Sequence, residues 1–445
     1  MRSLQFRMRV SYSPHPSWRF LILTRIVQPS PALESFLDSL HLPLSQPQRD
    51  HLLHLVDGSL VCEERKTLAA LQRQFLDSTD PSNWADFLRI SPWFAEDVRC
   101  AIRRHQVAWL VAEAQRRSLP KVLYVNLDDS LGKKDKRTSR LEPVDWFHDH
   151  NESTPRHPRY YKAFCYLECT LHAEDLTATA DLRLYLRDKT VRRLNRHRPP
   201  EQRLHFRSKF RLAWEILEAL KPLLPEGWVI YVQFDSWYAS ERLLKYIHRQ
   251  GWHAVCGLKS NRKFSGQRLD QFGTTLQHKR YTRVRVTAAD GNTTTYHVRD
   301  AVGRLSKVPF DVRVMFSKRH PRAQSWAYFA STDLARSVVE TLRGYGGRWS
   351  CEVVNFYTKT QLGLADFRVW SYEAVERYVI AVHLAWAYVE EQLVRTRSAQ
   401  VRCYGDVIRR HRDDHAAAWL RAAVEQGIRT GDVEAVLKLF LRQAS

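Results

Sequence analysis

The chain changes its hydrophobic spacing at about residue 120. Residues 31–118 place apolar side chains at helical intervals, with turns between the periodic segments. From Lys121 onward the pattern changes to short apolar runs, namely KVLYVNL, YKAFCYLECTLH and ATADLRLYL. The first of these runs is apolar enough for a strand that is buried on both faces of its sheet. The sequence thus predicts a helical N-terminal domain over 31–118, either DNA-binding or a plain packing module, followed by an α/β domain.

The α/β pattern continues to residue 264. A long basic and aromatic helix is predicted from about Glu201 to Leu224, followed by the strand WVIYVQF, the helix SERLLKYIHRQG and the strand HAVCGLK. Strands followed by alternating helix and strand are typical of an α/β layer with a mixed sheet. We therefore assign residues 119–264 to the first part of the core.

Residues 265–331 have a different pattern and predict a β-rich insertion. The segment YTRVRVTAADGNTTTYHVRD forms two alternating runs around Asp290-Gly291, a strong hairpin signal, and FDVRVMF and WAYFAST add two strands. Helical periodicity returns in the second part of the core, 332–395. Residues 396–445 are predicted as C-terminal helices, and residues 1–30 as a disordered or mis-assigned extension.

The net charge of the chain indicates which class of molecule it binds. The chain has 70 Lys and Arg against 48 Asp and Glu, a formal net charge of +22. This excess favours a polyanion, and nucleic acid most of all. A membrane surface is the weaker alternative, and no run of about 18 apolar residues is present to span a bilayer. No membrane partner is expected. The odd count of 7 cysteines suits a reducing cytoplasm, where we expect the protein to be located.

Two apolar strands end in acid. KVLYVNL runs into Asp128 and Asp129, and WVIYVQF runs into Asp235. An unpaired carboxylate at the end of a buried strand is costly, so it is usually exposed in a turn or bound to a cation. Ordinary turn-forming aspartates are the alternative for either strand taken alone.

A third acid lies in the stretch YGGRWSCEVVNFYTK, residues 345–359. Tyr345, Arg348, Glu352 and Lys359 fall within an arc of about 60° on a helix. A solvated ladder of ion pairs is one interpretation of this face. The other is that Glu352 joins the strand-end aspartates, because three carboxylates at a sheet edge can hold two Mg²⁺ ions about 3.5 to 4 Å apart. Gly346 and Gly347 leave open where the helix begins.

Together these residues resemble the DDE transposases of the bacterial insertion-sequence type, which have an RNase H-like catalytic domain. The family signature Y-x2-R-x3-E-x6-K is matched at every fixed position by residues 345–359. LDDS at 127–130 is similar to the first-aspartate motif, DSWYAS at 235–240 to the second, and GLKSNRKF at 257–264 to the basic strand that follows. The resemblance covers roughly residues 31–395. It implies an RNase H-like mixed-sheet core, with the β-rich insertion lying between the second aspartate and Glu352.

The resemblance also implies the catalytic residues. Asp128, Asp235 and Glu352 are expected to be the metal-binding triad, holding two Mg²⁺ ions, with Mn²⁺ as a substitute. Asp129 is an alternative for the first position, because the two acids are adjacent. Strand alternation would point only one of them into the site.

DNA contacts are implied for residues around the triad. Tyr345, Arg348 and Lys359 are expected to face DNA, since their side chains can donate to phosphate oxygens. The resemblance places Trp326 where some relatives stack an aromatic on a flipped base, although a core position is the alternative. The remaining expected DNA contacts are Trp237, Tyr238, Lys259, Asn261 and Arg262.

The implied activity is cut-and-paste transposition. A protein of this kind cuts double-stranded DNA at the terminal inverted repeats of its own element, forms a hairpin intermediate and joins the ends to target DNA. A homodimeric synaptic complex in the bacterial cytoplasm, associated with the nucleoid, is expected. Two alternatives stay open: an RNase H-like nuclease or resolvase that cuts without joining, and a domesticated DNA-binding protein that has lost its chemistry.

Three other segments invite a functional interpretation. Cys165 and Cys169 lie four residues apart, but a strand core is favoured over a zinc site because no second ligand pair is present. His148, Asp149 and His150 could suggest a metal site, yet a loop is favoured. The basic run over residues 191–211 is either a solvated face or a phosphate contact.

Overall fold

The computed structural model describes residues 26–76, 81–149, 152–154, 156–287, 293–434 and 436. Several predictions made from the sequence fall elsewhere. Most of the N-terminal extension, His150, the Asp290-Gly291 turn and residues 437–445 lie outside the described residues.

The helices and strands are labelled separately in chain order. The helices are α1 (Pro31–Ser39), α2 (Gln46–Val61), α3 (Leu68–Gln72), α4 (Pro81–Arg89), α5 (Ala95–Arg116), α6 (Asp188–Asn195), α7 (Lys209–Leu220), α8 (Glu241–Arg249), α9 (Leu269–Thr275), α10 (Val338–Gly346), α11 (Ser350–Thr360), α12 (Tyr372–Thr396) and α13 (Tyr404–Thr430). The strands are β1 (Val122–Lys133), β2 (Asp145–His148), β3 (Tyr160–Ala173), β4 (Leu176–Tyr185), β5 (Val229–Phe234), β6 (His253–Leu258), β7 (Lys263–Phe264), β8 (Gln267–Arg268), β9 (Thr282–Thr287), β10 (Thr293–Arg304), β11 (Asp311–Lys318) and β12 (Ala327–Ser331).

One mixed sheet organises the molecule. Its strand order is β2-β3-β1-β5-β6-β12-β11-β10-β9, with β4 also paired to β3. β1 runs antiparallel to β3 and parallel to β5, and β5 runs parallel to β6. An antiparallel pair followed by parallel strands that alternate with helices is the predicted RNase H-like arrangement, so the fold class is confirmed.

The insertion extends this sheet instead of forming a separate layer. β12 pairs antiparallel with β6, placing Tyr328 opposite Leu258, and β11, β10 and β9 follow in order. The chain therefore leaves the core at the end of β6 and returns beside the same strand. The predicted strands FDVRVMF and WAYFAST correspond to β11 and β12.

The N-terminal helices share a hydrophobic core with later parts of the chain. α12 contacts α2, α4 and α5, and both α5 and α12 contact β4. A single buried cluster includes Leu52, Val56 and Leu88 together with Val379 and Trp386. The division of the chain into separate domains stays a prediction, since the N-terminal helices bury their apolar faces against the α/β part.

One predicted helix begins later than expected. The helix predicted from about Glu201 begins at Lys209, where the Ser208 side chain accepts a hydrogen bond from the Arg211 amide. A short 3-10 turn spans Pro200–Gln202, and the following residues are irregular up to Ser208. The side-chain cap sets the helix start. α4 lies inside the predicted helical domain 31–118.

A helix that spans a membrane must be both long and apolar. Within the part of the chain that the structure describes, no helix is both long enough and apolar enough to cross a bilayer.

Candidate active site

Strand β1 presents polar side chains to α11 at alternate positions. Asn126, Asp128 and Ser130 share one face, because side chains alternate along a strand. Each contacts the segment that carries Glu352. The three contacts are Asn126 Nδ2 to Ser350 Oγ at 3.1 Å, Arg348 Nη1 to Asp128 Oδ2 at 2.5 Å, and Lys359 Nζ to Ser130 Oγ at 2.7 Å.

The stretch that resembles the family signature is not one continuous helix. α10 ends at Gly346, a 3-10 turn spans Gly347–Trp349, and α11 begins at Ser350. A Cβ atom on Gly347 would lie 2.2 Å from His172 Nε2, so only glycine permits this approach. The arrangement of all four signature residues on one helical face is therefore wrong, and Tyr345 belongs to the preceding helix.

Tyr345 connects the end of α10 to the end of β5. Its hydroxyl donates a hydrogen bond of 3.2 Å to the main-chain oxygen of Phe234, the residue directly before Asp235. Its ring packs edge-on against Phe329. The contact fixes the 3-10 turn with Arg348 beside the strand end that carries the second aspartate.

The charge of Asp128 acts on the other two predicted catalytic carboxylates. Burial, followed by the charge of Asp128, raises the pKa of Asp235 to about 6. The same two causes, in the same order, raise the pKa of Glu352, which lies in the first turn of α11. Burial also raises the pKa of Asp128, and the Arg348 guanidinium opposes this shift. The structure therefore brings Asp128, Asp235 and Glu352 together around Arg348.

This donor set suits hard divalent cations. Carboxylate oxygens are the ligands that Mg²⁺ prefers, and burial together with the charge of Asp128 disfavours the ionised forms of Asp235 and Glu352, which a bound cation would stabilise. Arg348 supplies part of that compensation through its ion pair with Asp128. Among the described residues, a different group of acid and histidine side chains has all of its ligand atoms within 4.8 Å of one another. This group is Asp57, His411 and His415.

Asp129 points to the opposite face of the sheet. Its Oδ1 accepts a hydrogen bond of 2.7 Å from the Tyr238 hydroxyl, and its Oδ2 accepts one of 2.6 Å from Lys209 Nζ on α7. Tyr238 is fully buried there. The structure therefore does not bring Asp129 to the face that carries Asp128, and its expected metal role, like the DNA role of Tyr238, stays a prediction.

Exposed residues flank Asp235. Trp237 is 42% exposed, and its main-chain amide donates to Asp235 Oδ1 at 2.9 Å. The Lys259 ammonium lies 4.8 Å from the centre of the Trp237 ring. Asn261 is also exposed, whereas Arg262 is half-buried and donates to the Ser306 main-chain oxygen at 3.4 Å. Trp237 and Lys259 thus form an aromatic and basic surface beside the second aspartate, and Asn261 follows Lys259 by two residues.

Trp326 lies on the insertion side of the sheet, directly before β12. It is partly buried, packs edge-on against Phe316, and has the Lys318 ammonium 4.2 Å from its ring centre. These neighbours belong to β11 and not to the segments that carry the carboxylates. A base-stacking role for Trp326 stays a prediction.

Sequence reasoning missed Glu168. This residue lies on β3 directly opposite Asp128, is fully buried, and accepts a hydrogen bond of 2.8 Å from Asn355 on α11. Its second oxygen has no hydrogen-bond partner among the described residues. Burial, then the charge of Asp128, raises the pKa of Glu168 well above its usual value. The available signal was a single Glu inside the apolar run YYKAFCYLECTLH.

The other segments of interest have structural partners. Cys165 and Cys169 are buried in β3. In the basic run, Arg198 pairs with Glu142 and Glu373, and Lys209 pairs with Asp129. A phosphate-binding role for this run stays a prediction.

Comparison with known protein families identifies a match. A family described as DDE superfamily endonuclease matches residues 36–304, which is more than half of the chain. The matched region includes Asp128 and Asp235 and ends before Glu352. A search of curated proteins found no match.

Proposed function

Because the chain belongs to the DDE superfamily of endonucleases, we propose that it is a transposase that cuts the inverted-repeat ends of its own element and joins them to target DNA. Endonucleases of this superfamily act on DNA and generally use divalent metal ions. The observation that carries the proposal is the meeting of Asp128, Asp235 and Glu352 around Arg348.

The three carboxylates would hold the metal ions. Asp128 comes from β1, Asp235 follows β5, and Glu352 lies in the first turn of α11. Two Mg²⁺ ions bound there, or Mn²⁺ in their place, would supply an activated water or hydroxyl and stabilise the leaving oxygen of a phosphodiester.

Arg348 is proposed to exchange partners when DNA binds. Its guanidinium pairs with Asp128, and both side chains are only partly exposed. A guanidinium can bind a phosphate through two parallel hydrogen bonds. Once the Asp128 carboxylate binds a metal ion, it no longer requires the guanidinium as a partner. Arg348 would then move from neutralising Asp128 to holding the DNA backbone near the reacting phosphate.

Trp237 and Lys259 are proposed to bind DNA next to the reacting phosphate. The exposed ring offers a stacking surface for a base, worth about 1 to 3 kcal/mol. The Lys259 ammonium lies close to the ring and can reach a phosphate while keeping contact with the aromatic face. This surface borders Asp235, so a base held there would keep its phosphate near the carboxylates.

The proposed reaction has hydrolytic and transfer steps. Water attacks a phosphodiester at the element end, its oxygen bonds to phosphorus, and a 3′-hydroxyl leaves. That hydroxyl attacks a phosphodiester of the opposite strand, whose bond to the flanking DNA breaks, so that the element end closes as a hairpin and the flank leaves with a 3′-hydroxyl. Hydrolysis of the hairpin restores the 3′-hydroxyl of the element, which attacks a target phosphodiester and displaces a 3′-hydroxyl of the target strand. Two ends must be handled together, so a homodimeric complex is proposed.

The test uses the full chain with its own element ends. Labelled DNA from the regions flanking the reading frame is incubated with protein, Mg²⁺ and a plasmid target. We expect cleaved ends and joined products, and we expect both to disappear in Asp235→Asn and Glu352→Gln. Asp270→Asn is the matched control, because Asp270 is an acid of α9 that pairs with Arg268.

The same assay separates the alternatives. Cleavage without any joined product would support a nuclease or resolvase instead. Wild-type protein that binds DNA but does not cut it, with Asp235→Asn and Glu352→Gln binding equally well, would support a protein that has kept binding and lost chemistry.

A further inference from the structure

A second buried cluster of polar side chains joins two helices far apart in sequence. Asp57 lies on α2, and His411 and His415 lie one turn apart on α13. Asp57 is 0% exposed, and each histidine is 5% exposed. Neither helix carries a residue of the carboxylate site. We name this group the α2–α13 cluster.

The side-chain atoms of the α2–α13 cluster converge closely. Nε2 of His411 lies 2.7 Å from Asp57 Oδ1, and Nε2 of His415 lies 2.9 Å from the same oxygen. All three ligand atoms lie within 4.8 Å of one another. Ligands that share a zinc ion at about 2.0 to 2.2 Å lie roughly 3 to 4 Å apart, so small side-chain movements would admit one ion.

The outer contacts of the α2–α13 cluster also suit a metal. The Tyr388 hydroxyl lies 3.5 Å from Nδ1 of His411, and the second oxygen of Asp57 accepts a 3.0 Å hydrogen bond from the Ser30 amide. Metal-binding histidines commonly use their second nitrogen in this way, which keeps the lone pair of the first nitrogen for the ion. The His411 imidazole and the Asp57 carboxylate are thus each contacted by a neighbouring group through the atom that does not take part in the cluster.

We propose that Asp57, His411 and His415 bind one divalent transition-metal ion, Zn²⁺ foremost, which fastens α13 to α2. Two imidazoles and one carboxylate form a donor set typical of zinc, whereas Mg²⁺ prefers oxygen ligands alone. Three protein ligands leave a fourth position for a solvent molecule. The role assigned to the ion is structural despite this open position, because Asp57, His411 and His415 are almost fully buried, and the site is separate from the metals of DNA cleavage.

The position of the α2–α13 cluster explains what the ion would do. α13 contacts α12 and α2. The far half of α13 leaves Leu420, Val424 and Ile428 exposed at 58%, 53% and 80%, so it is held by few apolar contacts. Attachment of α13 therefore depends on its first half, where His411 and His415 lie. A metal bond there would restrain the whole helix.

Metal analysis of the purified full chain tests this proposal. The protein is stripped with a chelator, dialysed against Zn²⁺ and then against metal-free buffer, and analysed by plasma mass spectrometry. We expect one Zn²⁺ per chain in the wild type and in Glu352→Gln, and none in His415→Gln. His54→Gln, which changes another histidine of α2, is the matched control and keeps the ion. We also expect Zn²⁺ to raise the thermal midpoint of the stripped wild type by several degrees.

Co²⁺ replaces Zn²⁺ in the second measurement, because its visible absorption reports nitrogen and oxygen ligands at low coordination number. We expect an absorption band in wild type and Glu352→Gln, and its loss in Asp57→Asn, a change that keeps the side-chain shape. Substoichiometric zinc in the wild type, zinc retained by His415→Gln, or a cobalt band retained by Asp57→Asn would overturn the proposal and leave a hydrogen-bonded contact. These readouts do not depend on DNA cleavage, so they stand or fall separately from the proposed transposase activity.

Discussion

The two faces of strand β1 place adjacent acids in opposite circumstances. On the α11 face, Asp128 lies among other carboxyl groups, and its charge raises the pKa of both Asp235 and Glu352. On the α7 face, Asp129 has its own cation, Lys209, and its own hydroxyl donor, Tyr238. One face therefore accumulates negative charge, whereas the other balances it. The difference shows that the role of an acid at a strand end depends on which side chains lie on the same face of the sheet, and not on its position in the sequence.

Replacing the acid on the α11 face should have the largest effect. Asp128→Asn removes a proposed metal ligand, so we expect single-turnover cleavage of end DNA to fall by at least about a thousandfold. Asp129→Asn changes the neighbouring acid and should keep cleavage within about tenfold at temperatures where it is folded. Greater loss in Asp129→Asn than in Asp128→Asn would reverse the assignment of the two faces.

Charge accumulation on the α11 face should also appear as a pH dependence of stability without metal. The pKa of Asp235 is raised to about 6 in the folded protein, so its proton stabilises the fold below about pH 4 and this contribution is lost as pH rises through 6. With metal removed by a chelator, the unfolding free energy of Asp235→Asn should therefore rise relative to that of the wild type between pH 4 and 7, by up to about 3 kcal/mol.

Thermal and denaturant unfolding over this pH range measure the difference between wild type and Asp235→Asn. Asp270→Asn provides the control, because the pKa of Asp270 is lowered, first by its hydrogen bond from Arg268. A constant difference between Asp235→Asn and the wild type across the range would show that the carboxylates on the α11 face do not repel one another.

On the α7 face, substitution should affect stability more than chemistry. Asp129→Asn leaves the Lys209 ammonium without its carboxylate and weakens the contact with Tyr238, so we expect a loss of about 2 kcal/mol in unfolding free energy. Asp129→Asn combined with Lys209→Met should recover part of this loss, because no unpaired ammonium remains. Equal stability of Asp129→Asn and wild type would show that the ion pair contributes nothing.

The smallest effect is expected at Glu168, although it lies directly opposite Asp128. Burial, then the charge of Asp128, raises the pKa of Glu168 well above its usual value, so its neutral form is favoured more than that of an exposed glutamate. Glu168→Gln should therefore keep cleavage within about threefold, since the amide replaces a neutral carboxyl of similar shape. Glu352→Gln serves as the contrast and should lose cleavage. A large loss of cleavage in Glu168→Gln would indicate that Glu168 is ionised and adds a fourth charge to the α11 face.

Local pattern predicted much of the fold. Alternation and apolar runs located the core strands, because burial of strand faces leaves a period of two in the sequence. The start of α7 was missed, because Leu204 is held in an irregular segment by two hydrogen bonds with Asn195 and the cap at Ser208 begins the helix only there. The break at Gly346 and Gly347 is explained by the close approach of His172, which a sequence does not display.

The site shows the same limit. Asp128, Asp235 and Glu352 were predicted because each stands out from its own segment and the family resemblance joins them. The choice between Asp128 and Asp129 needed the register of β1 against its neighbours, which only the sheet provides. Glu168, and the cluster of Asp57 with His411 and His415, depend on contacts between distant segments. No local periodicity marks such contacts.

The return of β12 beside β6 has an evolutionary consequence. Because Tyr328 lies opposite Leu258, the chain departs from and rejoins the core at neighbouring points. Strands can be gained or lost at the free side of β9 without moving β5, β6 or the turn that carries Arg348. We expect descendants of this chain to vary in length between β6 and β12 while keeping the geometry of Glu352. The insertion is thus a place where recognition can diversify at little cost to chemistry.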